Sequence, residues 1–312
     1  MTNDHKFRFA AQIAQATSAK EWADTARKAE DLGYSTLTLP DHFDDQLAPV
    51  PAMMAAAAAT TTLRIGTLVF CNDYKHPLIL AKEAATMDLL SDGRLELGLG
   101  AGWMKKDYEQ AGIPYDPPAT RVDRFEEAIA IIKGLFADSP LDYRGTQYTI
   151  IGHEGLPKPV QRPHPPIVIG GGGKRVLGIA ARQADIVSVN PNLKEGLGGA
   201  ETAPNITPAR TTQKVAWVRD AAGERFDDIE LNALIGFALV TDTADSIAEA
   251  MAPVFGIPAE DALHVPVCLI GTVDFMVDEL RRRRDEWGFS YIGFDGGSWE
   301  AMAPVVSRLV GT

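Results

Sequence analysis

Asp41 and His42 form a pair that could handle protons, directly after a short apolar run. Histidine suits general acid or base catalysis because its ordinary pKa, about 6.5, is close to neutral pH. Taken alone, such a pair is also typical of a solvated surface histidine. Its meaning therefore depends on the element that ends in front of it.

A glycine-rich turn formed by Gly170, Gly171, Gly172 and Gly173 precedes Lys174, Arg175 and a helical pattern. Backbone N–H groups at a helix N-terminus carry partial positive charge and bind phosphate or carboxylate groups. A tight turn would also use glycine. Four glycines in a row lose much backbone entropy on folding, which favours an anion site.

Glycines alternate at positions 98, 100 and 102, with Ala101 between the last two and Trp103 after them. Alternating glycines let a flat ligand approach the backbone, and the indole offers an apolar wall. The spacing departs from the dinucleotide-binding fingerprint, and Asp123, about 20 residues on, lies in a helical pattern. We therefore predict a flat, glycine-lined pocket.

Other chemistries find little support in the sequence. The six histidines are scattered, and neither a zinc-protease motif, a Gly-x-Ser-x-Gly elbow nor a P-loop is present, so no metal site is predicted. The formal net charge of −12 disfavours nucleic acid and anionic membranes as partners and favours a small molecule. The basic run at 281–284 has acidic neighbours, which predicts an ion-paired outer helix face.

Composition also bears on location. Two cysteines far apart, Cys71 and Cys268, fit a reducing compartment better than a disulfide framework. The N-terminal residues lack the apolar stretch of a signal peptide, and the apolar run at 49–63 is too short to span a bilayer. We therefore expect a cytoplasmic protein.

Short β-favouring runs alternate with helical patterns along the chain, as in parallel βαβ units. The eight predicted strands are 7–13, 34–39, 63–70, 94–99, 167–169, 186–189, one within 229–240, and 291–294. The pattern predicts an α/β fold: one (β/α)8 barrel domain over 1–312, ahead of a two-domain doubly wound fold. Insertions after strands four and six, at about 140–166 and 190–208, are expected to cover the active face.

The order of the motifs resembles the bacterial luciferase-like oxidoreductase superfamily, particularly its actinobacterial members that use the deazaflavin coenzyme F420. The matching segments are 29–34 (AEDLGY), 40–43 (PDHF), 84–94 (AATMDLLSDGR), 98–103 (GLGAGW), 121–124 (RVDR), 163–173 and 184–185. The resemblance spans nearly the whole chain. The same barrel also accommodates FMN, which stays the alternative cofactor.

The resemblance implies roles for particular residues. It places His42 near the hydride-carrying ring carbon as proton donor or acceptor, with Asp41 beside it. It implies a cis peptide bond between Leu68 and Val69, a bulge behind the cofactor ring. The remaining cofactor-binding residues implied at the strand ends are Asn72, then Gly100, Ala101, Gly102 and Trp103 around the ring, then Gly170, Gly171, Gly172, Gly173, Lys174 and Arg175 around the phosphate-bearing tail.

The leading functional prediction is hydride transfer between coenzyme F420 and a small organic substrate. The alternatives are an FMN-dependent monooxygenase supplied with flavin by a separate reductase, and a non-catalytic flavin-binding protein. Sugar-phosphate dehydrogenases of this superfamily carry a carboxylate where Trp103 stands, so the indole favours a more apolar substrate. The resemblance also implies a homodimer; the Ala-rich stretch at 53–60 could pack between subunits or within one chain.

Overall fold

The computed structural model describes residues 5–193, 196 and 200–312. Its strands are Arg8–Gln12 (β1), Thr36–Leu39 (β2), Arg64–Thr67 (β3), Phe70–Cys71 (β4), Leu95–Gly100 (β5), Leu141–Arg144 (β6), Thr149–His153 (β7), Ile167–Gly171 (β8), Ile186–Val189 (β9), Glu230–Ile235 (β10), Phe237–Val240 (β11), Cys268–Gly271 (β12) and Phe289–Asp295 (β13). Its α-helices are Ala19–Asp31 (α1), Pro49–Ala59 (α2), Pro77–Leu90 (α3), Lys105–Ala111 (α4), Pro118–Phe136 (α5), Lys174–Gln183 (α6), Pro208–Ala222 (α7), Ala244–Phe255 (α8), Ala259–Ala262 (α9), Val273–Trp287 (α10) and Ala303–Leu309 (α11).

Eight parallel strands form a closed barrel: β1, β2, β3 with its continuation β4, β5, β8, β9, β10 and β13. Pairing of β3 with β5 closes the circle, with Ile65 opposite Leu95. The predicted (β/α)8 fold is confirmed. The C-terminal ends of all eight strands therefore meet at one face, where barrel enzymes place their chemistry.

Local signals in the sequence set several helix starts. The Ser18 side chain accepts a hydrogen bond from the Glu21 N–H at 3.1 Å and caps α1, as the capping-box spacing predicts. The Ala-rich helix α2 buries Ala52, Met53 and Ala56 within the chain.

Charged side chains fill the opposite, N-terminal end of the barrel. Arg8 contacts Glu96 and Glu230, both at 2.6 Å, and Arg64 contacts Glu96 at 2.8 Å. The Tyr291 hydroxyl also donates to Glu96 at 3.0 Å. Burial alone would raise the pKa of Glu96, but Arg8 and Arg64 hold it below its usual value. This end is closed by paired charges, which leaves the other end for a ligand.

The predicted third strand is interrupted at a cis peptide bond between Leu68 and Val69, as the family resemblance implies. The neighbouring strand β5 accommodates this path because it carries glycine where the backbones approach. A Cβ on Gly98 would stand 1.8 Å from the Thr67 carbonyl oxygen, and one on Gly100 would stand 2.6 Å from Val69 Cγ2. A side chain at Gly98 would therefore require a backbone shift, and one at Gly100 would require the Val69 side chain to move.

The first half of the predicted insertion at about 140–166 is a hairpin, the antiparallel pair β6–β7. The Pro-rich run at 157–166 that follows it does not lie over the active face. The Gln161 N–H donates to Asp88 at 2.9 Å, and its side chain donates to the carbonyl of Leu95, the first residue of β5, at 2.8 Å. This run therefore lies at the N-terminal end of the barrel, and expecting it as part of a lid was wrong.

A further insertion, absent from the sequence-based prediction, follows the seventh barrel strand. The barrel strand ends at Ile235, and the later half of the predicted 229–240 segment is β11, which pairs in parallel with β12 outside the barrel. With α8 and α9, these strands enclose a small separate core that includes Phe255, Val265 and Ile270. The described part of the predicted loop at 190–207 contributes to the same core and contains a 3₁₀ helix, Ala200–Asn205.

Arg283 ties this insertion to helix α10. Its guanidinium contacts Glu279 at 2.7 Å and donates to the carbonyl oxygens of Val265 and Cys268. The side chain is 1% exposed. The ion pairing predicted for the run at 281–284 is present, but at Arg283 it is buried rather than on an outer face.

We expect Gly98→Ala to destabilise the protein by roughly 1–3 kcal/mol, because the new methyl group overlaps a backbone carbonyl that cannot rotate away. Gly297→Ala is the matched control, since a Cβ there meets no atom within 4 Å, and we expect a change within about 0.5 kcal/mol. Urea denaturation measures both. Equal stabilities of the two variants would contradict the close approach of β3 and β5.

Candidate active site

A cavity of about 710 Å³ opens at the C-terminal ends of the barrel strands. The structure brings most of the predicted site residues together around it. They are Asp41, His42, Leu68, Val69, Gly100, Ala101, Gly102, Trp103, Gly170, Gly171, Gly172, Gly173, Lys174 and Arg175. Residues about 130 positions apart in the sequence thus share one wall, because successive parallel strands end at the same face.

Asn72 is the predicted site residue that does not line the cavity. A 3₁₀ turn, Asn72–Tyr74, follows β4 and directs the Asn72 amide towards the hydroxyl of Tyr148 at the hairpin tip, 3.4 Å away. Its neighbours Cys71 and Tyr74 line the cavity instead. Burial raises the pKa of the Cys71 thiol to about 12, so this thiol is protonated at neutral pH.

His42 is held by a carboxylate that the sequence-based analysis missed. Its Nδ1 lies 2.7 Å from Oδ2 of Asp107, and the Tyr74 hydroxyl donates to the same oxygen at 3.0 Å. Asp107 is 2% exposed, whereas His42 is 19% exposed and reaches the cavity. Burial, with Asp107 adding to it, raises the pKa of Tyr74, so its hydroxyl stays a donor. The edge of the histidine ring meets Trp103 with centroids 5.5 Å apart.

Helix α4 carries Asp107, and its position depends on the turn before it. Gly102 has φ +76°, and a Cβ there would overlap the Tyr108 hydroxyl. Tyr108 donates to Asp73 at 3.0 Å, and Arg124 contacts Asp73 at 2.9 Å. These bonds join α4 to the end of the third barrel strand. The one sequence signal for Asp107 is a carboxylate on the buried face of a short helix directly after the glycine-rich strand.

Asp41, predicted as a catalytic residue beside His42, accepts a hydrogen bond from the backbone of the neighbouring strand. Its Oδ2 accepts the backbone N–H of Cys71 at 3.1 Å, so the carboxylate holds the end of β4 beside the second barrel strand. The residue is 9% exposed. Burial raises the pKa of Asp41 above its ordinary value, although the Cys71 N–H opposes that shift.

The glycine-rich turn forms the other end of the cavity. A Cβ on Gly172 would stand 2.2 Å from the Pro191 carbonyl oxygen and 2.5 Å from that of Asn190, so the loop after β9 packs directly on the turn. Gly173 precedes α6 and has no side-chain cap, so the first N–H groups of that helix are available to a ligand. We call residues 170–173 with the N-terminus of α6 the glycine cradle.

The two cations after the cradle differ in their surroundings. Lys174 is exposed. The Arg175 guanidinium is ion-paired with Asp123 and Glu126 of α5 and donates to the Ala119 carbonyl at 3.2 Å. Arg175 therefore does not supply a full uncompensated charge to the cradle.

Gln12, at the end of β1, is a cavity residue with no sequence signal. It is 6% exposed, and its Nε2 contacts the carbonyl oxygen of Leu68 at 3.4 Å. Its Oε1 is buried and has no hydrogen-bond partner among the described residues. A buried amide oxygen without a partner is costly, so this group is suited to a donor from a bound molecule.

Within the described residues, no group of three or more His, Cys, Asp or Glu side chains is arranged to hold a metal ion. No described helix is long and apolar enough to cross a membrane.

The closed barrel and its strand-end cavity define a protein of the (β/α)8 enzyme architecture. Residues 5–267 match the luciferase-like monooxygenase family, and the chain belongs to this family. The family suggested by the order of sequence motifs is thereby confirmed.

Named relatives use two different cofactors. An F420-dependent glucose-6-phosphate dehydrogenase of Amycolatopsis mediterranei (strain U-32) is 26% identical over 228 residues, covering 66% of this chain and 68% of that protein. An FMNH₂-dependent dimethylsulfone monooxygenase of Pseudomonas putida is 31% identical over 154 residues, covering 49% of this chain and 42% of that protein. The match thus spans less than half of that monooxygenase's length.

Among solved structures, the coenzyme F420-dependent tetrahydromethanopterin reductase from Methanopyrus kandleri has the same fold. Its TM-score is 0.76 at 20% identity, and the match covers 98% of both chains.

We expect Asp41→Asn to stabilise the protein at pH 8, since the amide keeps an acceptor for the Cys71 N–H and removes a buried charge. The wild-type Asp41 carboxylate has a raised pKa in the folded state, so the full destabilisation by its buried charge is present at pH values above that pKa. The gain should shrink as the pH falls through the raised value towards 3.8. Urea midpoints at several pH values measure it, with exposed Asp220→Asn as control. A gain that does not depend on pH would refute this assignment.

Proposed function

We propose that this protein is an F420-dependent oxidoreductase that transfers a hydride between the deazaflavin and a small organic substrate. The observation that carries the proposal is the His42–Asp107 pair, 2.7 Å apart, with the histidine ring reaching a deep cavity at the barrel's strand ends. A buried carboxylate behind a partly exposed histidine is a common arrangement for moving a proton.

The residues around the cavity fit a flat cofactor with an anionic tail. Because Gly100 has no Cβ, the Val69 side chain packs directly against its backbone in the cavity wall. Among the described residues, the buried Oε1 of Gln12 has no hydrogen-bond donor. At the other end, the glycine cradle presents backbone N–H groups to an anion. When bound, a deazaflavin supplies a hydride carrier that reacts poorly with oxygen.

The side chains of this chain would manage the proton. Asp107 occupies Nδ1 of His42, which leaves Nε2 to exchange a proton with a molecule in the cavity. Nδ1 of His42 and the Tyr74 hydroxyl both contact Oδ2 of Asp107, and this arrangement fixes the ring orientation. Trp103 stands beside the histidine and provides an apolar surface for the substrate.

The choice of F420 over FMN is supported by the longer match to the F420-dependent relative, 66% of this chain against 49%. FMN-dependent monooxygenation is the second candidate, because the FMNH₂-dependent relative has the higher identity over its shorter match. The single-domain organisation over 1–312 and the homodimer stay predictions.

Titration of the purified protein with coenzyme F420 and with FMN tests the cofactor. We expect quenching of F420 fluorescence with a dissociation constant at least tenfold below that for FMN, a preference of about 1.4 kcal/mol. Tight FMN binding without F420 binding would overturn the proposal in favour of the monooxygenase. Binding of F420 with no oxidation of the reduced coenzyme by a panel of enones, imines and aldehydes would favour a non-catalytic role.

We expect His42→Ala to lower kcat by roughly 10²-fold or more with reduced coenzyme, because the proton donor is removed. Asp107→Asn should lower kcat less, since the ring remains but loses its charged partner. His153→Ala, on the exposed hairpin, is the matched control and should keep wild-type turnover. Coenzyme oxidation followed by absorbance gives these rates. Unchanged turnover in His42→Ala would show that this residue does not handle the proton.

A further inference from the structure

Lys214 on helix α7 is a buried cation that the proposed chemistry does not use. The residue is 3% exposed. Its Nζ donates to the carbonyl oxygen of Asn190 at 2.7 Å and lies 3.5 Å from Oδ1 of Asn205. Across the residues that the structure describes, Lys214 forms no ion pair with a carboxylate. It is thus a buried ammonium held by neutral oxygens.

Burying an ammonium group without a counter-charge costs free energy of folding. Burial, with Arg210 adding to it, lowers the pKa of Lys214 to about 8, so the ammonium form still prevails at neutral pH. Buried charges in proteins are generally paired or bound to an ion. An anion close to Lys214 would supply the missing partner.

The carbonyl group of Asn190 lies between the Lys214 ammonium and the glycine cradle. The Asn190 carbonyl oxygen that receives the Lys214 ammonium stands 2.5 Å from the position of a Cβ on Gly172. The N–H of Asn190 donates to the Gly171 carbonyl at 2.8 Å. Asn190 itself lines the cavity. The ammonium therefore stands directly behind the cradle wall.

Neither Lys174 nor Arg175, which follow the cradle in the sequence, can supply a buried, unpaired positive charge. The guanidinium of Arg175 is paired with Asp123 and Glu126. Lys174 is exposed, so water and salt screen its charge. Lys214 is shielded from water, and its field acts through a low-dielectric wall.

We propose that Lys214 is the positioning residue that makes the glycine cradle selective for a phosphate group, by supplying a buried positive charge behind it and fixing the Asn190 carbonyl. The ligand class is a phosphate mono- or diester on a ribityl-type tail. This inference rests on the proposed function, because it takes the tail of a flavin or deazaflavin as the anion.

Pairs of ligands with and without the phosphate-bearing group test the proposal. One pair is FMN and riboflavin; the other is F420 and its deazaflavin nucleus lacking the phosphate-bearing tail. Dissociation constants are measured by fluorescence for the wild type, Lys214→Met and Lys214→Gln. Glutamine keeps a hydrogen-bond donor for the Asn190 carbonyl but removes the charge. This variant therefore distinguishes the effect of the charge from the effect of packing behind the cradle. Lys82→Met, at an exposed position of α3 that does not line the cavity, is the matched control.

We expect both Lys214 variants to weaken binding of the phosphate-bearing ligand by roughly tenfold, while binding of its phosphate-free partner changes less than about threefold. Lys82→Met should change the preference by less than about threefold because that lysine is exposed and does not line the cavity. Equal weakening of both ligands of a pair, or an unchanged preference in both variants, would overturn the role of Lys214. A wild type that binds neither pair would instead refute the proposed function, and this inference with it.

Discussion

The contact on which the site depends is the close approach of β3 and β5. Gly98 lies against the Thr67 carbonyl, and Gly100 lies against Val69, so the third barrel strand can bend inward at the Leu68–Val69 bond. A side chain at Gly98 would hold the two backbones apart, and one at Gly100 would displace the Val69 side chain. The bend brings Val69 to the cavity wall and aims the Cys71 N–H at Asp41.

The acid–base group follows from the same bend. After β4, the chain turns through residues 72–74, which places Asp73 against Tyr108 and Tyr74 against Asp107. Helix α4 is thereby fixed with one carboxylate behind His42. The packing of two strands and two tyrosine hydroxyls thus positions the carboxylate behind His42, the proposed proton-exchanging residue, which lies after the second barrel strand.

The sequence was sufficient for the barrel and for most of the cavity wall, because strand periodicity and glycine runs are local signals that topology then brings to one face. It was not sufficient for Asp107, whose pairing with His42 spans 65 positions and depends on the angle of a seven-residue helix. The 237–271 insertion was not predicted because β11 continues the apolar run of β10, and the two strands resemble a single strand in the sequence. Asn72 lies outside the cavity lining because the 3₁₀ turn directs its amide towards the Tyr148 hydroxyl.

The cavity has two ends with opposite electrostatic character. At one end, Asp107 and the buried Asp41 surround His42 with negative charge; at the other, Lys214 stands behind backbone N–H groups. A molecule that spans the cavity is therefore held by its anionic end away from the carboxylates, which repel it. In a chain with a net charge of −12, Lys214 supplies a positive charge that burial protects from screening. Under the proposed function, this polarity favours a flat, tailed ligand bound with its anionic end at the glycine cradle.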